Sequence, residues 1–149
     1  MFAHLASECS CSGGAVVELG KAIRNRKLQL IVVEPKNLES AASEKQSPLP
    51  RLVQKAMEIT QGPVDFIYTS NSEARVFEKW RVAKTPEILV FDRKGALVYQ
   101  GAIAADPKGD EQPELFLSKV LDDIEAGRPS RWTKHEAFGC ALLFGPLAR

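Results

Sequence analysis

The chain has 149 residues, 44% hydrophobic and 26% charged, the make-up of a soluble domain with length enough for one real core. A formal net charge of +1 supplies no field to draw in nucleic acid or anionic lipid, and apolar runs such as 30–33 and 141–145 are far too short to span a membrane. Three cysteines do not make a disulfide scaffold, and their odd number leaves one thiol over.

Residues 2–6 read as a strand that begins almost at the first residue, with no basic segment and apolar stretch of the signal-peptide kind after Met1. Either this is the natural start or a leader has been removed. In the second case an extracytoplasmic, periplasmic location is open; the compartment is otherwise unspecified. Cys9-Ser10-Cys11-Ser12 follows, then a helix over 13–26 whose apolar residues Val16, Leu19 and Ile23 recur at spacings of three and four. Arg24, Arg26 and Lys27 suit the negative end of its dipole.

Residues 28–33, nearly all apolar and rich in β-branched side chains, read as a central strand buried on both faces. The polar, Ser-rich stretch 35–48 reads as a loop. A helix over 50–61 turns Leu52, Val53, Ala56, Met57 and Ile59 inward and stops at Gly62-Pro63. Residues 64–68 are a further strand, and Ser70-Asn71-Ser72 can cap a helix running to Trp80. After Thr85-Pro86, residues 87–92 and 96–101 flank the turn Arg93-Lys94-Gly95 as a β-hairpin. A last helix over 113–126 carries Leu115, Phe116, Val120, Leu121 and Ile124 as its apolar stripe and ends at Gly127.

The order β-α-β-α-β-α-β-β-α predicts one α/β domain over 1–149: a mixed sheet flanked by helices, with strands 28–33, 64–68 and 87–91 as neighbours. The tail 128–149 keeps Trp132, Phe138, Leu142, Leu143 and Phe144, too apolar to hang in water, and is expected to dock on the domain.

The chemistry concentrates in three places. Cys9 and Cys11 lie in the turn from strand to helix, where backbone N–H groups and the helix dipole favour a thiolate, while Glu8 opposes it. A disulfide across the single residue Ser10 would close a small ring and be readily reduced. Thr85-Pro86 stands at a strand start, where an X-Pro bond that is cis would present the backbone of Thr85 to a partner peptide. Cys140 is the third. It is a resolving thiol if the tail crosses the helix mouth, and a structural one if the tail packs on the far face. The far face is favoured, because a tail over the mouth would obstruct large protein disulfides. His4 and His135 announce no metal site, and Arg75, Lys79, Arg81 and Lys84 read as solvated charge.

The helix-mouth cysteines, the later Thr85-Pro86 and the hairpin Glu-Ile-Leu-Val-Phe-Asp-Arg-Lys-Gly-Ala-Leu-Val-Tyr-Gln-Gly over 87–101 resemble the thioredoxin superfamily, nearest its redoxin-like, peroxiredoxin-related branch. The ending Thr133…Gly139-Cys140 is similar to a Thr…Gly-Cys ending of some redoxin-like proteins. The opening Phe2-Ala3-His4 with Cys-x-Cys-Ser and Glu18-Leu19 is similar to a subgroup bearing Cys-Pro-Cys-Ser. The resemblance implies a thioredoxin-like fold and a cis Pro86 beside the active-site cysteines. It further implies a thiol–disulfide oxidoreductase in which Cys9 attacks and Cys11 resolves, acting on protein or small-molecule disulfides and thiols without a cofactor. The chain departs from the Cys-x-x-Cys spacing of thioredoxins, has Glu8 where they have tryptophan, and shows no clear peroxidatic cysteine–arginine set. Two other readings stay open: a Cu(I) carrier using Cys9 and Cys11 as soft ligands, and a module that binds partners without turnover.

Overall fold

The computed structural model describes residues 2–4, 12–35, 65–72, 74–105 and 113–141. Along them run β1 (Phe2–His4), α1 (Ser12–Ile23), β2 (Gln29–Pro35), β3 (Asp65–Ser72), α2 (Ala74–Lys79), β4 (Lys84–Thr85), β5 (Glu87–Phe91), β6 (Leu97–Gly101), α3 (Phe116–Glu125) and β7 (Cys140–Ala141). The loop expected over 35–48 falls, Pro35 apart, outside these residues, as does the whole helix expected over 50–61.

Five strands form one mixed sheet in the order β3-β2-β1-β5-β6. Strands β1, β2 and β3 are parallel, β5 runs antiparallel to β1, and β6 returns antiparallel to β5. The three strands expected as neighbours share this sheet, but the opening strand lies between β2 and β5. A run as short as Phe2–His4 gains full pairing there because both of its edges are covered.

Side chains alternate across the sheet as strand geometry requires. Leu30, Ile88, Val90 and Tyr99 face α1 and α3, joining Leu19, Ala22, Ile23, Leu117, Val120 and Leu121 in the larger core. Ile31, Leu89 and Phe91 face the opposite way, toward Phe77, Trp80 and Val82 around α2. Leu30 and Ile88 on one face with Ile31 and Leu89 on the other explain why apolar residues follow one another directly in β2 and β5.

Two details differ from the reading of the sequence. Ser70–Ser72, expected as a helix cap, belong to β3, with Ser72 in register with Pro35 of β2. Arg26 does more than complement a helix end. Its guanidinium donates to Ala22 O of its own helix at 2.8 Å, and to Asp122 Oδ1 at 2.5 Å and Glu125 Oε2 at 2.6 Å on α3, tying the two helices together. The hairpin turn is built by Asp92, whose Oδ1 accepts from the backbone N–H of Lys94 at 2.8 Å and of Ala96 at 2.9 Å.

As far as Ala141 the tail lies over the end of α3 and the open edge of β6, with Trp132 packed inward and Phe138 exposed; Leu142, Leu143 and Phe144 lie outside the described residues. Asp123, buried on α3, accepts from Arg131 Nε at 2.9 Å, Arg131 Nη2 at 3.0 Å, Arg131 N at 3.1 Å and Arg128 Nη2 at 2.9 Å. Beyond it Phe116 stacks on His135, their centroids 3.8 Å apart, and meets Trp132 edge-on at 5.6 Å. Gln100 N donates to Thr133 O at 3.0 Å and His135 N to Gln100 O at 3.2 Å, so the tail runs along β6 as a short parallel addition and covers the sheet edge. The approach is close. A Cβ on Gly101, whose φ is +143°, would stand 1.9 Å from His135 O.

Candidate functional site

Pro86 separates two strands that belong to different sheets: β4 pairs with the tail, whereas β5 enters the main sheet. Proline lacks the N–H that a ladder needs, which is why the break falls there. The Thr85–Pro86 peptide bond is cis, and both residues are buried.

Glu87 follows at once and is also buried, only 6% exposed. Its Oε1 accepts from Gln100 Nε2 at 2.7 Å, and the same amide nitrogen donates to Trp80 O at 3.1 Å. The carboxylate bears on its surroundings: burial first, and then the charge of Glu87, push the phenol of Tyr99 above its ordinary range. The Tyr99 hydroxyl donates to Ala102 O. A buried carboxyl one residue past the proline was not singled out in the sequence. Its signal was there, an acidic residue heading the otherwise apolar run Glu87-Ile-Leu-Val-Phe.

The tail arrives at this point. Lys84 lies opposite Ala141 and Thr85 opposite Cys140 in an antiparallel pair. Gly139, at φ +148°, passes so near that a Cβ there would stand 2.0 Å from Thr85 O and 3.1 Å from Pro86 Cδ. Lys84 Nζ holds Glu136 Oε1 at 2.6 Å, an interaction that draws the Glu136 carboxyl below its ordinary range. Lys84 is therefore a tail contact and not merely solvated charge. Cys140 is exposed and disulfide-bonded. The expectation that the tail takes the far face is thus corrected: residues 139–141 lie against Thr85-Pro86, because Gly139 removes the side chain that would keep the two backbones apart.

Of the predicted site residues, Thr85, Pro86 and Cys140 come together. Cys9 and Cys11 lie outside the described residues. They are the chain's other two cysteines, so Cys140 has its disulfide partner among them. Their connection is bounded on both sides. β1 ends at His4, opposite Glu87, and α1 begins at Ser12, directly after Cys11. His4, the last described residue before Cys9, therefore lies beside the start of the strand that Pro86 precedes. Among the described residues no group of His, Cys, Asp and Glu could hold a metal ion, and no helix is long and apolar enough to cross a membrane.

A family described as "Domain of unknown function (DUF6436)" matches residues 2–141. Among solved structures, the chain is similar to an uncharacterized conserved protein from Geobacillus kaustophilus, with TM-score 0.66 and 19% identity over 99% of this chain and 77% of that one. It is also similar to a hypothetical protein from Sinorhizobium meliloti 1021, with TM-score 0.63 and 18% identity over 94% of this chain and 76% of that one. At these identities the likeness is one of fold. No curated protein matches.

Proposed function

The chain belongs to the DUF6436 family, and we propose that it is a thiol–disulfide oxidoreductase of thioredoxin-like fold in which Cys9, Cys11 and Cys140 form one redox centre beside Thr85-Pro86. One observation carries the reading: Cys140 is disulfide-bonded while its backbone pairs with Thr85, directly before Pro86. A structural staple has no need of that address. A thiol that exchanges with helix-mouth cysteines does. Strand order, the mixed strand directions and helices on both faces support the thioredoxin-like reading of the fold.

In the reaction, the Cys9 thiolate attacks one sulfur of a partner disulfide. The partner's S–S bond breaks, a mixed disulfide forms, and the partner's other sulfur leaves as a thiolate that takes up a proton. A second cysteine of the centre then attacks the Cys9 sulfur and expels the partner's remaining thiol. Two electrons have passed from the protein dithiol to the partner. Cys11 and Cys140 are both candidates for that resolving step, and the disulfide at Cys140 favours its participation.

Insulin reduction tests the activity. With the single variants Cys9→Ser, Cys11→Ser and Cys140→Ser, Cys9→Ser should abolish turnover, and mass spectrometry of the acid-trapped oxidised protein should find Cys140 joined to Cys9 or Cys11. Full activity in Cys9→Ser would sink the assignment. A stoichiometric Cu(I) complex without any reductase activity would favour the soft-metal carrier instead.

A further inference from the structure

The tail does to Thr85 what a partner's polypeptide would have to do. It lies antiparallel to Lys84–Thr85, puts a cysteine opposite Thr85, and holds that cysteine in a disulfide. We propose that residues 139–141 are a built-in stand-in for the cysteine-bearing segment of a partner protein, locked in place by the Cys140 disulfide, and that this edge selects segments in which glycine precedes the cysteine. The inference deepens the thiol–disulfide reading and rests on it.

The selectivity follows from the backbone. The residue before Cys140 passes Thr85 O so closely that any Cβ would stand 2.0 Å from that oxygen. The obstacle is a carbonyl of a buried residue next to a proline, and it cannot swing aside as a flexible side chain would. A partner strand on the same track meets the same carbonyl, so Gly-Cys fits where Ala-Cys does not. Main-chain pairing supplies the docking, and the missing side chain supplies the choice.

The tail's other holds here are modest. The Lys84–Glu136 pair is mostly in solvent, and Phe138 is 46% exposed. Opening the disulfide therefore frees the edge without dismantling the core. A dithiol reductant does this in two exchanges. One of its thiolates attacks a sulfur of the Cys140 disulfide, breaking that S–S bond and releasing the other sulfur as a thiolate. The reductant's second thiol then attacks the mixed disulfide, leaving the reductant as a disulfide and the protein with two thiols. The two electrons and two protons gained by the protein come from the reductant.

Amide hydrogen exchange over 84–85 in the full-length chain tests this. Exchange should speed up about tenfold on reduction, and Cys140→Ser should match the reduced protein. Gly139→Ala should exchange fast even under oxidising conditions. Adding the peptide Ala-Phe-Gly-Ser-Ala in excess to the reduced protein should slow exchange again, and Ala-Phe-Ala-Ser-Ala should not. Unchanged exchange on reduction overturns the lock, and equal protection by the two peptides, or by neither, overturns the glycine preference. Loss of insulin reduction with these exchange effects intact would instead count against the oxidoreductase reading alone.

Discussion

The packing of α1 and α3 on the sheet and the docking of the tail are held by different physics. Between the helices and the sheet, Leu19, Ile23, Leu117 and Val120 are wholly buried, and burying each such side chain stabilises the fold by about 1.5–3 kcal/mol. Among its described residues the tail buries one small side chain, Ala137, packs Trp132 partly against the core, and is otherwise held by the Cys140 disulfide and by directional contacts. These are the arginines on Asp123, the ring stack on Phe116, two backbone bonds to Gln100, and the pairing with Thr85. Apolar burial adds up over area and fails together. Directional contacts fail singly, so once the disulfide is opened a segment held by them can be released while the rest stays folded.

The sharpest way to break that division is to compare the cost of one cavity with the cost of a displaced tail. Leu117→Ala should cost about 2–5 kcal/mol in urea unfolding, the range for emptying a well-packed core site. Gly101→Ala should cost less, about 1–3 kcal/mol, as an overpacked contact against His135 O, and it should alter Trp132 fluorescence in a Trp80→Phe background. If the glycine variant proves the more damaging, the tail belongs to the cooperative core and the distinction fails.

Acid offers a finer cut. Hydrogen bonds from Arg131 and Arg128 hold the Asp123 carboxyl well below the usual carboxylate range. A depressed carboxylate lends its stability in full above its unfolded pKa of about 3.9, and loses it as pH falls toward the folded value. Trp132 fluorescence in the same background should therefore be steady at neutral pH and change below about pH 4. In Asp123→Asn the neutral spectrum should already resemble the acid one, with little further change on acidification. The smallest effect belongs to Glu136→Gln. Its pair with Lys84 is largely solvated, and the variant should leave the thermal midpoint unchanged within error.

The same contrast explains what was legible in the sequence. Local periodicity marks the hairpin at 87–101, the α3 stripe and the doubly buried β2, because each is encoded by residues close together along the chain. The path of the tail is encoded by pairs far apart. Gly139 matters only because Thr85 O faces it, and Asp123 looks like an ordinary polar position of a helix until Arg131 folds back onto it. Ser70–Ser72 carry the composition of a helix cap, yet pairing with β2 draws them into a strand. Glu87 was missed for a similar reason, since its partner Gln100 lies on the returning strand. At the site, residue types were readable and their company was not. Cys140 and Thr85-Pro86 stood out separately, while their juxtaposition depends on the tertiary path.

The Asp92 turn bears on the order in which these parts meet. Its side chain and backbone close the hairpin within five residues, so β5 and β6 can pair as soon as both have left the ribosome. The described part of the tail is made after the hairpin and α3, and its anchors Thr85, Gln100, Phe116 and Asp123 precede it along the chain. Until residues 139–141 have also left the ribosome, the edge at Thr85 stands without its own strand. A nascent chain therefore exposes this edge before the segment that covers it arrives.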